Sequence, residues 1–158
     1  MSQLRQVVPQ HTIDIILAQE SYIKKDTGIP QKWKSWTSKN EKASIILPST
    51  LKATSLSPLD NSFAIKIILN WKSCTIISAY SPLEDMEPTL MEIQDMVEKL
   101  NGEDYIIGAD LNGHHTSWGY NDTSPRGRAI ENLLNAKQMI LLNPIDAPPL
   151  RSSIPMVE

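Results

Sequence analysis

The sequence predicts an α/β or α+β layered domain, and three observations predict it. Residues 13–18, Ile-Asp-Ile-Ile-Leu-Ala, form a nearly continuous apolar run, as expected of a buried strand. Residues 63–69 and 74–80 are two β-rich runs separated by Asn70-Trp71-Lys72-Ser73, the pattern of a hairpin. Residues 88–100 and 128–136 carry apolar side chains at helical spacing. Hairpins mixed with helical crossovers imply packed layers of sheet and helix.

Taken in order, residues 2–10 place Leu4, Val7 and Val8 at helical spacing before Pro9, which predicts a short amphipathic helix. The buried strand of residues 13–18 runs into Gln19-Glu20. Residues 33–36 and 43–47 read as two short strands, and the hairpin follows. The helix of residues 88–100 has Leu90, Ile93, Val97 and Leu100 on one stripe, proline near its start and Asn101-Gly102 as its stop. Residues 105–109 form the next strand. Residues 128–136 form a second helix with Ala129, Ile130, Leu133 and Leu134 inward, and residues 139–142 are a last apolar run, expected as a strand. Residues 144–158 hold four prolines and no strong periodicity, so they are expected to be an irregular tail. The expected organisation is a domain over residues 1–143 and the tail over 144–158.

Composition narrows the function classes. A chain of 158 residues, 41% hydrophobic and 21% charged, suits a globular domain with a real core. No apolar run reaches the roughly 18 residues of a membrane span, so no membrane role is expected. Cys74 is the sole cysteine and cannot form an internal disulfide, which fits a reducing compartment, nuclear or cytoplasmic. A net charge of −3 argues against strong non-specific nucleic-acid binding, which rests on Lys and Arg displacing counterions. It leaves room for a nuclease, because a bound metal supplies local positive charge.

The most informative stretch is residues 106–119, Ile-Ile-Gly-Ala-Asp-Leu-Asn-Gly-His-His-Thr-Ser-Trp-Gly. Positions two apart on a strand point the same way, so Asp110 and Asn112 are expected to face one site. An acid can bind a hard cation or orient a water, and an amide can donate to a phosphate oxygen without repelling it. That pairing suits metal-assisted hydrolysis of a phosphodiester. Glu20, just past the end of a buried strand, is placed to bind Mg²⁺ together with waters and phosphate. A solvated acid is the alternative. Tyr80 precedes Ser81-Pro82, and its phenol can hydrogen-bond a phosphoryl oxygen without adding charge. A packing tyrosine is the alternative there. His114 and His115 lack the spacing of a helical zinc pair and read as loop residues, either reaching phosphate or structural. Arg126 and Arg128 open the second helix and either touch a nucleic-acid backbone or form a solvated basic face.

These motifs together resemble the endonuclease/exonuclease/phosphatase superfamily. Residues 106–119 resemble its Gly-Asp-Phe-Asn-Ala-His-His-x-x-Trp-Gly motif, with Ala109 inserted before the acid, Leu111 for Phe and Gly113 for Ala. The His-His and Trp-Gly extension is typical of the endonucleases of insect non-LTR retrotransposons, and it argues against a phosphatase or sphingomyelinase relative. Asp14-Ile15 through Gln19-Glu20 resembles the motif that carries the metal-binding Glu. Tyr80-Ser81-Pro82 resembles the Tyr-x-Pro motif, and Ser124 to Arg128 the Asn-x-x-Gly-basic element. The resemblance implies a sandwich of two mixed β-sheets flanked by helices. It implies a DNA endonuclease, a monomer dependent on Mg²⁺ or Mn²⁺. In it Glu20 and Asp110 are the metal site, Asp110, Asn112 and Tyr80 are catalytic, and His114, His115 and Arg126 bind substrate.

The family pattern also has an upstream Asn strand, a Ser-x-x-Asp strand and a Ser-Asp-His triplet. Residues 152–154, Ser-Ser-Ile, meet Pro155 where the acid would stand, and proline disrupts a central strand. The chain is therefore expected to be a truncated copy, incomplete at both ends and impaired in activity. A non-catalytic retroelement fragment with a partial fold is the alternative.

Overall fold

The structure, a computed structural model, describes residues 8, 13–20 and 29–142, which fall into two compact units divided between Leu111 and Asn112. The first unit is a sandwich of two sheets. One holds β1 (Ile16–Gln19), β2 (Lys34–Thr37) and β3 (Ala43–Leu47), in the order β1-β3-β2 and antiparallel throughout. The other holds β4 (Ala53–Ser55), β5 (Ser62–Leu69), β6 (Lys72–Tyr80) and β7 (Asp104–Asp110), side by side in chain order. β4, β5 and β6 pair antiparallel, whereas β7 runs parallel to β6. A parallel neighbour needs a long crossover, and the helix α1 (Glu87–Leu100) supplies it. This is the α+β sandwich that the sequence implies.

The strands form where the pattern alternates. Phe63, Ile65 and Ile67 of β5 and Cys74 and Ile76 of β6 meet Ile45 and Leu47 of β3 between the sheets. Ile15, Leu17, Trp36 and Leu51 pack around them. Each such side chain contributes about 1.5–3 kcal/mol when fully buried. The alternate residues of β5 and β6 point the other way, toward α1. There Thr89, Ile93 and Leu100 are the buried positions of the helix. Covered on both faces, β6 is buried from Cys74 to Tyr80. Burial pushes the Cys74 thiol above its ordinary range, so the side chain behaves as a small inert hydrophobe.

Turn chemistry sets the joints. Asn70 and Trp71 both have positive φ, 48° and 67°, and close the β5–β6 hairpin as a two-residue loop. The connection is thus shorter than the four residues the sequence suggests, because Lys72 and Ser73 join the ladder. Asn101 in the left-handed region and Gly102 at φ 87° stop α1 where expected. β4 escapes the sequence reading because Ala-Thr-Ser is too short to show a period.

The second unit is built around a 3₁₀ turn (Thr116–Trp118) and the helix α2 (Pro125–Ala136). Ser124 caps α2 by accepting from Gly127 N at 3.0 Å, and Pro125 sits in the first turn, so the helix starts three residues before the expected Arg128. Residues 139–142 are not a strand. Ile140 and Leu142 are exposed, and four apolar residues are too few to specify a ladder without a partner. Of the expected helix at residues 2–10, Val8 is described and is helical and buried. The rest of that segment and the expected tail over 144–158 lie outside the described residues.

One close approach fixes how the sheets meet. A Cβ built on Gly108 of β7 would lie 2.4 Å from Leu17 Cδ1 and 3.0 Å from Leu17 Cβ. Gly108→Ala must therefore push β1 away from β7. The expected cost is about 1–3 kcal/mol by overpacking, read as a lower urea midpoint. Leu17→Ala in the same chain should recover part of that loss, so that the two costs do not add.

Candidate active site

Two strand ends bring the predicted residues of the first unit together. β1 ends at Gln19 and β6 at Tyr80, on facing sheets. Gln19 Nε2 donates to Gly108 O at 3.0 Å and to Ser78 Oγ at 3.2 Å, tying β1 across the gap to β7 and β6. The next residue, Glu20, has φ 50°, a left-handed conformation that L residues rarely adopt. That turn aims its carboxylate at Tyr80, whose hydroxyl donates to Glu20 Oε1 at 2.7 Å. Asp110 lies on the adjacent strand in register with Tyr80, and Ser81 N donates to Asp110 O at 2.8 Å. Glu20, Tyr80 and Asp110 thus converge although up to 90 residues separate Glu20 from Asp110.

Sequence reasoning missed the residues that hold this end in place. Lys42 O accepts from Glu20 N at 2.8 Å, and Lys42 Nζ stands 3.5 Å from Glu20 Oε1 and 5.3 Å from the centre of the Tyr80 ring. Asn40 Oδ1 accepts from Lys42 N at 2.9 Å, and Asn40 Nδ2 donates to Asn61 Oδ1 at 2.9 Å. Asn61 O in turn accepts from Tyr80 N at 3.0 Å. The Glu92 carboxylate of α1 gathers Asp60 N, Asn61 N and Ser62 Oγ. Thr89 Oγ1 donates to Tyr80 O at 3.3 Å. None of these has a sequence signature beyond Gln19, which stands inside the Gln-Glu pair.

The electrostatics follow from the geometry. Tyr80 is buried and faces carboxylates, so its phenol is pushed up to about 12, first by burial and then by the hydrogen bond to Glu20. The charges of Glu20, Asp110 and Glu84 add to the shift. Tyr80 therefore stays a neutral donor at any physiological pH.

Asn112 opens the second unit with φ 51°. β7 ends at Asp110, so the two-residue strand period does not extend to Asn112. Within the second unit His115 is buried and has both ring nitrogens engaged. Nδ1 accepts from Ser117 N at 3.0 Å, and Nε2 lies 3.1 Å from Glu131 Oε2. Its ring stacks on Trp118, whose Nε1 donates to Gly113 O at 2.9 Å. His114 is exposed, stacked on Tyr120 at 4.2 Å, with Nδ1 3.7 Å from Asp122 Oδ1. Arg126 is half-buried in the first turn of α2 and Arg128 is exposed. A Cβ on Gly127 would fall 1.8 Å from His114 O, which explains the glycine in that element.

The donors fit a hard divalent ion rather than zinc. Among the described residues no three His, Cys, Asp or Glu side chains group tightly enough to hold a metal by themselves. Glu20 and Asp110 offer carboxylate oxygens, the set that Mg²⁺ accepts while keeping waters and substrate oxygens.

Comparison with known proteins bears on this arrangement. Residues 74–154 match the family described as endonuclease–reverse transcriptase. The fold is similar to the endonuclease domain of TRAS1, a telomere-specific non-LTR retrotransposon, with a TM-score of 0.82 and 22% identity over 93% of this chain and 68% of that one. A humanized D. rerio TDP2 carrying 14 mutations aligns with a TM-score of 0.49 and 12% identity, over 73% of this chain and 56% of that one. Among curated proteins none matches by sequence.

The Tyr80 shift has a measurable consequence. Tyr80 should titrate near pH 12 in the ultraviolet absorbance of the folded chain. Because the folded value lies above the ordinary 10, the stability Tyr80 contributes is complete below about pH 10 and is lost as pH rises through about 12. Glu20→Gln keeps an acceptor but removes the charge, and should bring that titration back toward 10. An unchanged late titration in Glu20→Gln would show that the Glu20 charge plays no part in it and that burial, with Asp110 and Glu84, sets it.

Proposed function

We propose a metal-dependent phosphodiester hydrolase acting on DNA as the function of this chain, which belongs to the endonuclease–reverse transcriptase family. The observation that carries the metal and residue assignments is the Tyr80–Glu20 hydrogen bond of 2.7 Å, with Asp110 beside it on the next strand. Glu20, with Asp110, would hold Mg²⁺ or Mn²⁺ through oxygen atoms. A divalent ion there supplies positive charge to the phosphate oxygens as negative charge builds on them.

The chain's own groups do the remaining work. Asp110 orients the attacking water and takes its proton. The neutral Tyr80 hydroxyl turns from Glu20 to a phosphoryl oxygen and holds it without adding charge. Asn112 donates its amide hydrogens to the phosphoryl group. Exposed His114 and the half-buried Arg126 side chain are the proposed backbone contacts. His115 acts on the loop that carries His114, since both of its ring nitrogens are taken. The chain acts as a monomer, inside the cell.

The test is nicking of supercoiled plasmid by the 158-residue chain, with Mg²⁺ and with chelator. The expected result is metal-dependent nicking that Asp110→Ala slows by about 10²–10⁴, the range for loss of a positioned base. Nicking that survives both chelation and Asp110→Ala would overturn the reading. A second reading is a retroelement protein that keeps the fold without turnover, in line with the absence, among the described residues, of three His, Cys, Asp or Glu side chains grouped to hold a metal. It predicts Mn²⁺ binding lost in Glu20→Ala, together with no nicking by the unaltered chain.

A further inference from the structure

We propose that Lys42 is a displaceable counter-ion of this site, holding Glu20 until a divalent ion binds and then passing to a DNA phosphate. The inference rests on Glu20 being a metal ligand, as proposed above.

Three observations carry it. The ammonium of Lys42 already neutralises the atom a metal would need, at 3.5 Å from Glu20 Oε1. Its backbone is fixed, by Asn40 on its N–H and by Glu20 on its carbonyl, while its side chain is 37% exposed. The flexible four-carbon stem can therefore swing without disturbing the strand. A cation and a divalent ion at the same carboxylate repel, so the arrival of one expels the other.

The stem has somewhere to go. A hollow of about 340 Å³ opens beside Tyr80, lined by Asn40, Lys42, Tyr80, Pro82, Leu83 and Glu84. Among the described residues Lys42 is the sole cation of that lining. An anionic strand lying in the hollow with one phosphate at Tyr80 would bring another within reach of the released ammonium. Glu84, also in that lining, offers the departing ammonium a second carboxylate. This gives the net-negative chain a local means of attracting a polyanion once metal is bound.

The experiment counts free Mn²⁺ by electron paramagnetic resonance in the 158-residue chain, unaltered and as Lys42→Met, Lys42→Arg and Glu20→Ala. Removing a half-exposed competing cation should tighten Mn²⁺ binding about two- to five-fold in Lys42→Met. Lys42→Arg should behave as the unaltered chain. Unchanged or weaker binding in Lys42→Met, with binding lost in Glu20→Ala, would overturn the role of Lys42 and leave the metal-ligand reading standing. Unaltered binding in Glu20→Ala, or none in any of the four, would sink that reading and this inference with it. Affinity for a short duplex is then measured across salt concentrations with Ca²⁺ present. Loss of one phosphate contact should flatten the slope by about 0.9 in Lys42→Met, and Lys42→Arg should restore it. An unchanged slope would overturn the transfer to phosphate.

Discussion

Everything at the proposed catalytic end depends on the side-chain amide of Gln19. β1 is four residues long and among the described residues pairs with β3 alone, so by itself it could slide or splay. Its last residue reaches across the sandwich to Gly108 O and Ser78 Oγ. A fully buried amide left without partners costs roughly 1–3 kcal/mol, and the half-buried Gln19 amide shares part of that cost, so these bonds favour one register of the two sheets. The missing side chain at Gly108 permits the approach, since even a methyl group there would collide with Leu17. Glu20, one residue on, inherits its position from this crossing. The same crossing brings it to Tyr80, and Tyr80 to Asp110 through the parallel register of β6 and β7.

A second constraint is charge. Glu20, Asp110 and Glu84 all act on Tyr80. Such an arrangement repels itself in the absence of a cation, and the protein answers with Lys42 and with a phenol that does not ionise. The answer is partial and mobile, because Lys42 and Glu20 are both partly exposed and an exposed pair contributes little to stability. A site proposed to accept a divalent ion gains from that weakness. A tight, buried ion pair would hold the carboxylate too firmly for a metal to take it.

Much of this was legible in the sequence, for reasons that differ by element. The β5–β6 hairpin and α1 declared themselves because their apolar periods run long enough to separate two from 3.6. Glu20, Tyr80 and Asp110 could be named because each stands at the end of an apolar run, where a strand delivers a side chain to its mouth. β4 was invisible at three residues, and residues 139–142 looked like a strand because a short apolar run reads the same whether or not it finds a partner. The strand period read from Asp110 does not reach Asn112, which is left-handed and lies beyond the end of β7. Lys42, Asn40, Asn61 and Glu92 could not be read at all. Their roles come from hydrogen bonds between loops distant in sequence, and no local spacing encodes those.

The left-handed Glu20 shows what the fold gives up for this site. An L residue in that region costs about 1–2 kcal/mol, and a glycine would sit there without strain. Glycine would also remove the acceptor of the Tyr80 hydroxyl and the partner of Lys42. The strain is held by fixed neighbours on both sides of the residue: Gln19 locked across the sheets, and Glu20 N bonded to Lys42 O. A strained acid persists where the surrounding structure over-determines it, and such sites concentrate where chemistry is done. Here the bonds that over-determine the strain are also those that aim the carboxylate. Relaxing the backbone and misplacing the proposed ligand would therefore be one event.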